Sequence, residues 1–361
     1  MNRRTLLIGA GGIATLAGAG AIGFRTATGS TDGYARYAAG LRRQPADPGI
    51  GDIIRYATLA ANGHNTQPWR FRVEEGAIDI LPDPSRRTPV VDPDDHHLFV
   101  SLGCAAENLA IAGTASGAAG SLETHADGSL RYAFARSVPR PDPLLAAITR
   151  RQSTRGTYDG RPVPGVAIEM LRRAAQRDGV RLVILTERSR IDHLRDLVVA
   201  GNDVQMRDPA FRAELKQWLR FNPRSAIAKG DGLYAATSGN PILPDAVGQR
   251  AFDLFFTASA ENDKVARHID SSAGIAVFLG ERADRPHWIE VGRACQRFAL
   301  MATMLGIRHA FVNQPVEVAR LRPELAALAG ESGLRPDIVM RFGYGPELPF
   351  SPRRPVAAVM T

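Results

Sequence analysis

The distribution of apolar and polar residues predicts alternating helices and strands in the first half of the chain. Ile50, Ile53 and Ile54 recur at helical spacing, which predicts a helix over residues 50–61 with one apolar face. Residues 69–73 alternate between apolar and basic side chains, as expected of a half-buried strand. The other elements predicted in this half are a strand at 78–81, a helix at 102–113 and a strand at 130–134.

The second half repeats this order over a longer stretch. Its predicted elements are a helix at 166–177, strands at 181–185 and 274–279, a helix at 291–305 and a strand at 338–342. Prolines at 139, 141 and 143 divide the halves, because proline continues neither helix nor strand. Aromatic residues lie among glycines and prolines between 200 and 270, and long excursions of this kind are usually lids or added helices. The pattern predicts an α+β chain with a lid-like insertion at about 200–270.

The two long predicted helices also resemble each other residue by residue. When Gly103 is placed over Gly292 (292 − 103 = 189), small residues align along both helices. The aligned pairs are Ala105 with Ala294, Ala110 with Ala299, Thr114 with Thr303, and Gly117 with Gly306. This pattern suggests an internal duplication. We therefore expect two similar lobes that form a pseudo-dimer around their central helices, in a chain that stays monomeric.

The N-terminal segment predicts targeting rather than part of the fold. Residues 5–24 carry no charge and are long enough to span a bilayer, which takes roughly 20 apolar residues. They follow Arg3 and Arg4, and together they resemble a twin-arginine signal. Gly9 and Gly11 also imitate a dinucleotide-binding turn, but the glycine-rich stretch that follows suits neither the helix nor the strand which that turn needs.

These observations give an expected domain organisation and location. Residues 1–33 form the targeting or anchoring segment, 34–138 the first lobe and 144–361 the second. We expect the Tat export machinery to place the protein on the outer face of the cytoplasmic membrane, with membrane contact through residues 5–24. Whether the segment is cleaved stays open, since the residues after it make a poor cleavage site.

Composition and charge exclude several other classes of protein. The net charge of +8 comes almost entirely from arginines spread along the chain, without a basic stripe interleaved with aromatics, so nucleic-acid binding is not expected. Cys104 and Cys295 lie in helix-like apolar runs and form no metal or dithiol motif. His96 and His97 lie close to three aspartates, at 92, 94 and 95, but adjacent histidines rarely bind one ion. We expect a polar loop there and no metal.

Three polar segments carry the candidate chemistry. The turn Asn62-Gly63-His64-Asn65 offers neutral donors and acceptors next to exposed backbone, which suits a ring system bearing carbonyls and nitrogens. Residues 150–159 combine arginines, hydroxyls and an amide, which suit a phosphate with a polyhydroxylated chain. The tail at 342–355 follows a predicted strand along a proline-rich path to two arginines. Taken singly, each segment also fits an ordinary turn, loop or terminus.

In combination these segments resemble the nitroreductase-like flavoproteins. RRQSTRGTYDGRPVP resembles the arginine motif of that family, and NGHNTQPWRF its NxQPW motif. GRACQRFALMATMLGI with HAFVNQPVE is similar to the central helix and the loop along the flavin edge, and FGYGP with SPRR to the C-terminal phosphate segment. In ordinary members the arginine motif precedes NxQPW. Here the order is reversed between the lobes, which resembles the fused, Acg-type branch.

The resemblance implies a nitroreductase-like fold that binds FMN between the lobes. Residues 151–153 and Arg155 would bind the phosphate and ribityl chain, and Asn62, Gly63 and Asn65 would reach in from the other lobe. Phe311, Val312 and Asn313 would line the ring near N5, and Arg353, with Arg354, would hold the phosphate. The residues expected to contact the phosphate and the ribityl chain are therefore Arg151, Gln152, Ser153 and Arg155. The related positions of the opposite lobe lack these motifs, so one FMN per chain is expected.

The resemblance also implies an activity. We expect an FMN-dependent oxidoreductase that passes electrons from NAD(P)H or a quinol to a small acceptor such as a quinone or nitro compound. No side-chain nucleophile is needed, since the chemistry belongs to flavin N5. The alternative is a flavin storage or sequestration protein without turnover, in which the insertion covers the cofactor.

Overall fold

A computed structural model describes residues 23–361 of the chain. Most of the expected targeting segment, including both arginines at 3 and 4, lies outside the described residues. Of the helices described, one is long and apolar enough by itself to cross a membrane, His96–Ala115, and 83% of its apolar window is buried inside the protein. It is therefore the core helix of this fold.

The first lobe contains three helices and four strands. They are α1 (Thr31–Leu41), α2 (Ile50–Thr58), β1 (Trp69–Glu74), β2 (Ala77–Pro82), α3 (His96–Ala115), β3 (Gly120–Thr124) and β4 (Leu130–Phe134). Short 3-10 turns occupy Gly63–Asn65 and Pro84–Arg86. The strands form one antiparallel sheet in the order β1-β2-β4-β3.

The second lobe has the same plan with added helices. Its elements are α4 (Leu145–Arg150), α5 (Gly165–Ala174), β5 (Val180–Leu185), α6 (Arg188–Arg207), α7 (Pro209–Gln217), β6 (Leu219–Arg220), α8 (Pro223–Lys229), β7 (Leu233–Tyr234), α9 (Asp245–Phe255), α10 (Ala258–Asp270), β8 (Gly274–Gly280), α11 (Arg285–Met304), β9 (Arg308–Phe311), α12 (Gln314–Glu317), α13 (Arg322–Ala329) and β10 (Pro336–Gly343). Its antiparallel sheet has the order β5-β8-β10-β9.

The two sheets have equivalent topologies. In each four-stranded sheet the second strand along the chain leads into the long central helix. The first strand after this helix lies at the sheet edge, and the next strand lies between it and the second strand. The order β1-β2-β4-β3 therefore corresponds strand for strand to β5-β8-β10-β9. This is the predicted α+β arrangement of two similar lobes around central helices.

The central helices α3 and α11 cross where each has a glycine. A Cβ on Gly103 would lie 2.0 Å from the carbonyl oxygen of Ile289, and a Cβ on Gly292 would lie 2.0 Å from that of Val100. Ile289 and Val100 are themselves 189 residues apart (289 − 100 = 189), the offset that relates the two glycines. The crossing is therefore pseudo-symmetric, and only glycine lets the backbones approach this closely.

Polar contacts beside the crossing follow the same symmetry with different chemistry. Glu107 accepts from Arg297 at 2.8 Å, and Gln296 donates to Asn108 at 2.8 Å. These contacts are equivalent, since 296 − 107 and 297 − 108 both equal 189. One has become a charged pair and the other an amide pair. Glu107, Asn108 and Gln296 are buried between the helices, whereas Arg297 is half-buried.

The expectation of a polar loop at His96 and His97 is wrong. These residues form the first turn of α3, which begins six residues before the helix predicted from apolar spacing. Asp92 explains this start, because its carboxylate accepts hydrogen bonds from the backbone N–H groups of His97 and Leu98, both at 3.0 Å. Two edge strands, β3 and β9, had no clear alternation in the sequence and were also missed.

The insertion is shorter than the sequence suggested. Helices α6 and α10 pack on each other and on the second sheet, through buried residues such as Leu194, Val198 and Ile269. They belong to the second lobe. The excursion proper runs over 209–256 and has its own small core around Phe211, Leu215 and Phe252; we call this segment the lid.

The C-terminal tail returns to the first lobe. Phe71 in β1 donates its backbone N–H to Val359 at 2.8 Å and accepts from Thr361 at 3.0 Å. On the way, the carbonyl of Phe350 accepts from the Tyr34 hydroxyl of α1. The tail thus carries residues 351–354 across the junction between the lobes.

Candidate functional site

Two connected depressions lie at the junction of the lobes. The main cavity has a volume of about 330 Å³ and is walled by the turn after α2, the segment after β9 and the inner side of the lid. A smaller depression of about 20 Å³, here called the arginine pocket, shares three residues with it, Ala61, Asn62 and Arg155. The two therefore form one continuous site.

The turn between α2 and β1 is strained. His64, Asn65 and Gln67 have φ values of 46°, 55° and 55°, in the left-handed region that residues with a Cβ rarely adopt. The Asn62 side chain stabilises the turn by accepting from the backbone N–H of Gln67 at 2.8 Å. Strain of this kind persists only where surrounding contacts impose it, and it clusters at functional sites. Asn62, Gly63 and His64 line the main cavity.

Asn65 was expected to reach into the site from the first lobe, but it does not line the main cavity. Its amide donates to the carbonyls of Gly232 in the lid and Pro352 in the tail, at 2.9 and 3.0 Å, and its Oδ1 accepts from Arg353. These bonds use both amide donors and leave Asn65 4% exposed beside the arginine pocket. Asn65 therefore fastens lid and tail to the turn.

Gln67 has a similar fastening role that the sequence did not suggest. Its amide donates to Gly230 of the lid at 2.9 Å, and its Oε1 accepts from the backbone of Arg354 at 2.9 Å. It is fully buried. The central polar residues of NTQPW thus hold the walls of the site together.

The arginine loop is brought to the site as predicted. Arg151, Gln152, Ser153 and Arg155 all line the arginine pocket. The loop is held by pairing with β9, where Thr154 donates its N–H to His309 at 2.8 Å. The lobe junction thus combines the arginine motif of one lobe with the amide-rich turn of the other.

Arg151 and Arg155 have unused donors. Arg151 donates to the carbonyl of Leu59 at 2.8 Å, while its Nε is buried without a partner. Arg155 Nη1 is also buried without a partner, and within residues 23–361 no carboxylate pairs with this guanidinium. Burial lowers the pKa of Arg151 to about 10 and also lowers that of Arg155, but both stay charged at neutral pH. Buried cations without counter-ions indicate an anionic ligand.

Arg353 and Arg354 differ from each other. Arg353 lines the arginine pocket, but all five of its N–H donors are used, on the carbonyls of Thr58, Leu59, Ala60 and Pro352 and on Asn65. It caps the C-terminal end of α2 and can contribute its charge to the pocket. Arg354 faces the other way, toward Ala358 and Asp83, so its expected place at the phosphate is wrong.

Arg42 is a site residue that the sequence prediction missed. It lines the arginine pocket from the end of α1 and stacks over Phe350 of the tail at 4.0 Å. The signal was present, because Arg42-Arg43-Gln44 echoes Arg150-Arg151-Gln152. Four arginines therefore line this pocket, and no acidic residue of the described chain does so. Burial and the mutual repulsion of Arg42, Arg151 and Arg353 all lower the pKa of Arg353.

The segment Phe311–Asn313 lines the main cavity from the end of β9. The backbone N–H of Val312 donates to Val339, and Asn313 Oδ1 accepts from the same residue, both at 2.9 Å. These bonds fix the segment against β10. Phe311 remains half-buried at the cavity wall.

His97 lines the cavity beside these segments and belongs to a group of titratable residues. Ligand atoms of Asp92, His96 and His97 lie within 4.8 Å of one another, a spacing that could hold a metal ion. Asp92 already caps α3, however, and His96 Nε2 lies 2.8 Å from Asp337. Both have protein partners that account for their placement.

The two cysteines lie at the inner wall. Cys104 and Cys295 are free thiols, both buried, at the crossing of α3 and α11. Contact with Cys104 and burial raise the pKa of Cys295 well above its usual value. A protonated, buried thiol is a poor nucleophile, and both residues pack as small apolar side chains.

Comparison with known proteins finds relatives in sequence. No family model matches the chain. The Mycobacterium tuberculosis protein named "Putative NAD(P)H nitroreductase Rv3131" is 26% identical over 323 residues, which are 85% of this chain and 90% of the relative. "Putative NAD(P)H nitroreductase acg" of the same organism is 23% identical over 325 residues, 86% of this chain and 94% of the relative.

Solved structures give weaker likeness. A Bacteroides fragilis nitroreductase with bound FMN is 13% identical with a TM-score of 0.36, over 57% of this chain and 90% of its own. A variant of the FMN and NADPH-dependent nitroreductase NfnB from Sphigopyxis sp. strain HMH is 17% identical with a TM-score of 0.40, over 61% and 98%.

The sequence relatives cover more than four fifths of this chain, so the likeness extends over both lobes. They include Acg, the protein whose branch the motif order resembles. The chain is nitroreductase-like.

Proposed function

We propose that this protein is an FMN-dependent oxidoreductase that uses a reduced donor to reduce a small acceptor. The observation that carries the proposal is the arginine pocket, which is lined by four arginines and opens into the main cavity. A dianionic phosphate attached to a flat ring system fits this combination, since arginines recognise phosphate through charge-assisted hydrogen bonds.

The residues divide into two groups along the site. Arg42, Arg151 and Arg353 would supply positive charge at the phosphate end, and Gln152 and Ser153 would meet the ribityl chain. Arg155 lies where the pocket meets the main cavity, so its unpaired guanidinium suits the electron-rich edge of the ring. Asn62, Gly63 and the segment 311–313 form the walls on either side.

Bound FMN would supply the redox chemistry, accepting a hydride at N5 from the donor and passing electrons to the acceptor. The protein binds and orients the flavin and keeps bulk water out. The names of the M. tuberculosis relatives support NAD(P)H as donor. A quinol is the other donor that we propose, and quinones and nitro compounds are the acceptors.

A test of this function is steady oxidation of NADPH by the purified holoprotein with menadione or 4-nitrobenzoate. The prediction is turnover that depends on both donor and acceptor. An exchange of donor to menaquinol tests the alternative donor in the same assay. A flavin that neither donor reduces would contradict the proposed activity.

The second candidate is flavin storage without turnover, and the closed lid favours it. Glu214 of the lid accepts from the backbone N–H groups of Val90 and Val91, and Asp231 of the lid pairs with Arg86. These bonds tie the lid over the main cavity. Photoreduced flavin distinguishes the two: if menadione or nitrobenzoate reoxidises it no faster than buffer, the protein stores flavin.

Two further proposals concern the whole chain. We propose that the lobes arose by internal duplication, supported by the equivalent strand order and the 189-residue offset at the glycine crossing. Because one chain supplies both lobes, a monomer is expected, and sedimentation at micromolar concentration tests this.

We also propose export through the twin-arginine system, with residues 5–24 contacting the membrane. The support is the Arg3-Arg4 pair before an uncharged segment. Folded, FMN-loaded protein would then cross the membrane. A reporter fusion that remains cytosolic and soluble would contradict this proposal.

A further inference from the structure

A histidine outside the flavin motifs and a glutamate at the end of one of them face each other at the wall of the main cavity. His97 lies on the first turn of α3, and Glu317 ends the short helix α12. His97 Nδ1 is 4.0 Å from Glu317 Oε1. Both residues line the cavity.

The pair lies between the two segments proposed to flank the flavin ring. A Cβ on Gly63 would lie 3.9 Å from the Cβ of His97. Glu317 follows the ring-lining segment by one helical turn and donates its backbone N–H to Asn313 at 2.9 Å. A substrate that reaches the ring would therefore also reach this pair.

The hydrogen bonds of the pair are incomplete in a specific way. Gln205 donates to Glu317 Oε2 at 2.6 Å, which leaves Oε1 directed at His97. His97 Nε2 is buried and has no hydrogen-bond partner. Asp92 is equally near Nδ1, at 4.0 Å, but its carboxylate oxygens already accept two backbone N–H groups. An imidazole nitrogen buried without a partner indicates a partner supplied by a ligand.

We propose that Glu317 and His97 form a proton relay that delivers a proton to the oxygen of a quinone-type acceptor in the main cavity. This inference rests on the proposed oxidoreductase function and names the acceptor chemistry of the same site. Nothing in the nitroreductase motifs of this chain requires such a relay.

The proton balance of the reaction requires a donor. Reduction of a quinone to a hydroquinone takes two electrons and two protons. When a hydride brings both electrons and one proton, the second proton must reach a quinone oxygen separately. In the relay, His97 Nε2–H gives its proton to that oxygen while Nδ1 takes one from protonated Glu317. Glu317 is left as a carboxylate and His97 with its proton on Nδ1. A solvent proton that reaches Nε2 while Nδ1 returns its proton to Glu317 restores both groups, and His97 never carries a net charge.

The surroundings of both groups suit these protonation states. Burial lowers the pKa of His97 most, and the charges of His96 and Arg335 lower it further. Asp92 and Glu317 raise it. His64 also faces it across the cavity. The imidazole is therefore neutral at physiological pH.

Glu317 is shifted in the complementary direction. Burial raises its pKa, as do Asp92 and Glu214, although His97 and the bond from Gln205 oppose this. It therefore keeps its proton at pH values where a free glutamate has lost it. A protonated acid behind a neutral imidazole is the arrangement that the relay requires.

The test compares two acceptors of photoreduced holoprotein under anaerobic rapid mixing. Menadione needs a proton at its oxygen, whereas ferricyanide takes electrons without one. Glu317→Gln and His97→Gln should slow reoxidation by menadione about 100-fold, the lower range for general acid catalysis, and leave ferricyanide unchanged. The solvent deuterium isotope effect on the menadione rate should fall toward one in both variants.

A matched control is the exposed pair His193 and Glu324, whose side chains lie 2.7 Å apart on the surface. His193→Gln and Glu324→Gln should leave both rates unchanged. A readout independent of turnover is the NMR titration of the Glu317 carboxyl group, whose midpoint should lie above that of a free glutamate.

The possible outcomes distinguish a failure of the relay from a failure of the proposed oxidoreductase function. Equal loss with both acceptors, or no loss with menadione, overturns the relay while the flavin spectrum still supports the proposed function. Wild-type protein that binds no FMN overturns both.

Discussion

Asn65 accepts a 2.6 Å hydrogen bond from Arg353, and this contact joins the turn of the first lobe to the C-terminal tail. The same amide donates to Gly232 of the lid. One side chain therefore connects the turn, the tail and the lid around the arginine pocket. It is placed to hold the site closed.

The Asn65 contact gives a stability prediction. Asn65→Ala leaves a buried guanidinium donor of Arg353 and the buried carbonyl of Gly232 without partners, and each such loss costs about 1–3 kcal/mol. We expect the free energy of unfolding, from urea titration followed by circular dichroism, to fall by at least about 2 kcal/mol. Asn240→Ala is the control, because this lid residue makes no side-chain hydrogen bond within the described residues. A variant as stable as the wild type would show that the Asn65 contacts do not stabilise the fold.

The glycine crossing gives a second prediction, on both helices alike. Gly103→Ala and Gly292→Ala each place a methyl group 2.0 Å from a backbone carbonyl oxygen. Neither backbone can yield without separating the helices, so each should lower the free energy of unfolding by about 3 kcal/mol or more. Gly51→Ala in α2 is the matched control, since nothing lies within 4 Å of its Cβ position. That change should stabilise by roughly 0.5–1 kcal/mol, and a crossing variant that behaves like it would contradict the pseudo-symmetric packing.

Variants of two arginines should distinguish binding of the FMN phosphate from binding of the flavin ring. Arg151→Gln removes a cation at the phosphate end, so the affinity for FMN should fall about 10- to 100-fold, as expected for a charged hydrogen bond. Its affinity for riboflavin, which has no phosphate, should change little. Arg155→Gln should weaken both ligands, because this side chain lies at the junction with the main cavity.

Fluorescence titration of flavin-free protein measures these affinities. Arg354→Gln is the control, since its side chain faces Ala358 and Asp83 away from the pocket. If Arg354→Gln weakens FMN as much as Arg151→Gln does, the assignment of the phosphate end is wrong.

A buried histidine predicts how stability depends on pH. His309 lies on β9 with both ring nitrogens unpaired, and burial lowers its pKa to about 3. The unfolded chain binds a proton below about pH 6.5, while the folded state does not until about pH 3. Stability is therefore fully present above pH 6.5 and is lost as pH falls toward 3.

His309→Gln tests this contribution, because glutamine does not titrate. Between pH 6 and 4 the free energy of unfolding should fall less steeply than in the wild type, by about 1.4 kcal/mol per pH unit for one proton. His193→Gln, on the surface, should leave the slope unchanged. Identical slopes for the wild type and His309→Gln would mean that the folded state protonates this imidazole normally.

The sequence predicted the architecture better than the details of the site. The helical and alternating patterns located most of the core elements, and the 189-residue offset located the helix crossing, because small residues at a close approach leave a visible pattern. Strands β3 and β9 were missed, since a short edge strand has too few residues to show alternation. The start of α3 was missed because Asp92 caps it from four residues before its first turn.

Within the site, residue type predicted location but not always orientation. Arg151, Gln152, Ser153 and Arg155 come together as expected. Asn65 looks like a ring contact in the sequence, yet its amide bonds to the lid and tail, as does that of Gln67. Arg353 and Arg354 are neighbours in an extended segment, so they point in opposite directions, which sequence resemblance alone did not reveal. Arg42 was missed because it lies in the first lobe, which lacks the arginine motif.

The central claim is that unlike segments of the two lobes enclose one flavin mononucleotide. Its most direct test is the absorption spectrum of freshly purified full-length protein, followed by heat release and chromatographic identification of the flavin. The account predicts bands near those of oxidised flavin and one FMN per chain. A colourless protein that remains colourless after incubation with FMN would contradict it.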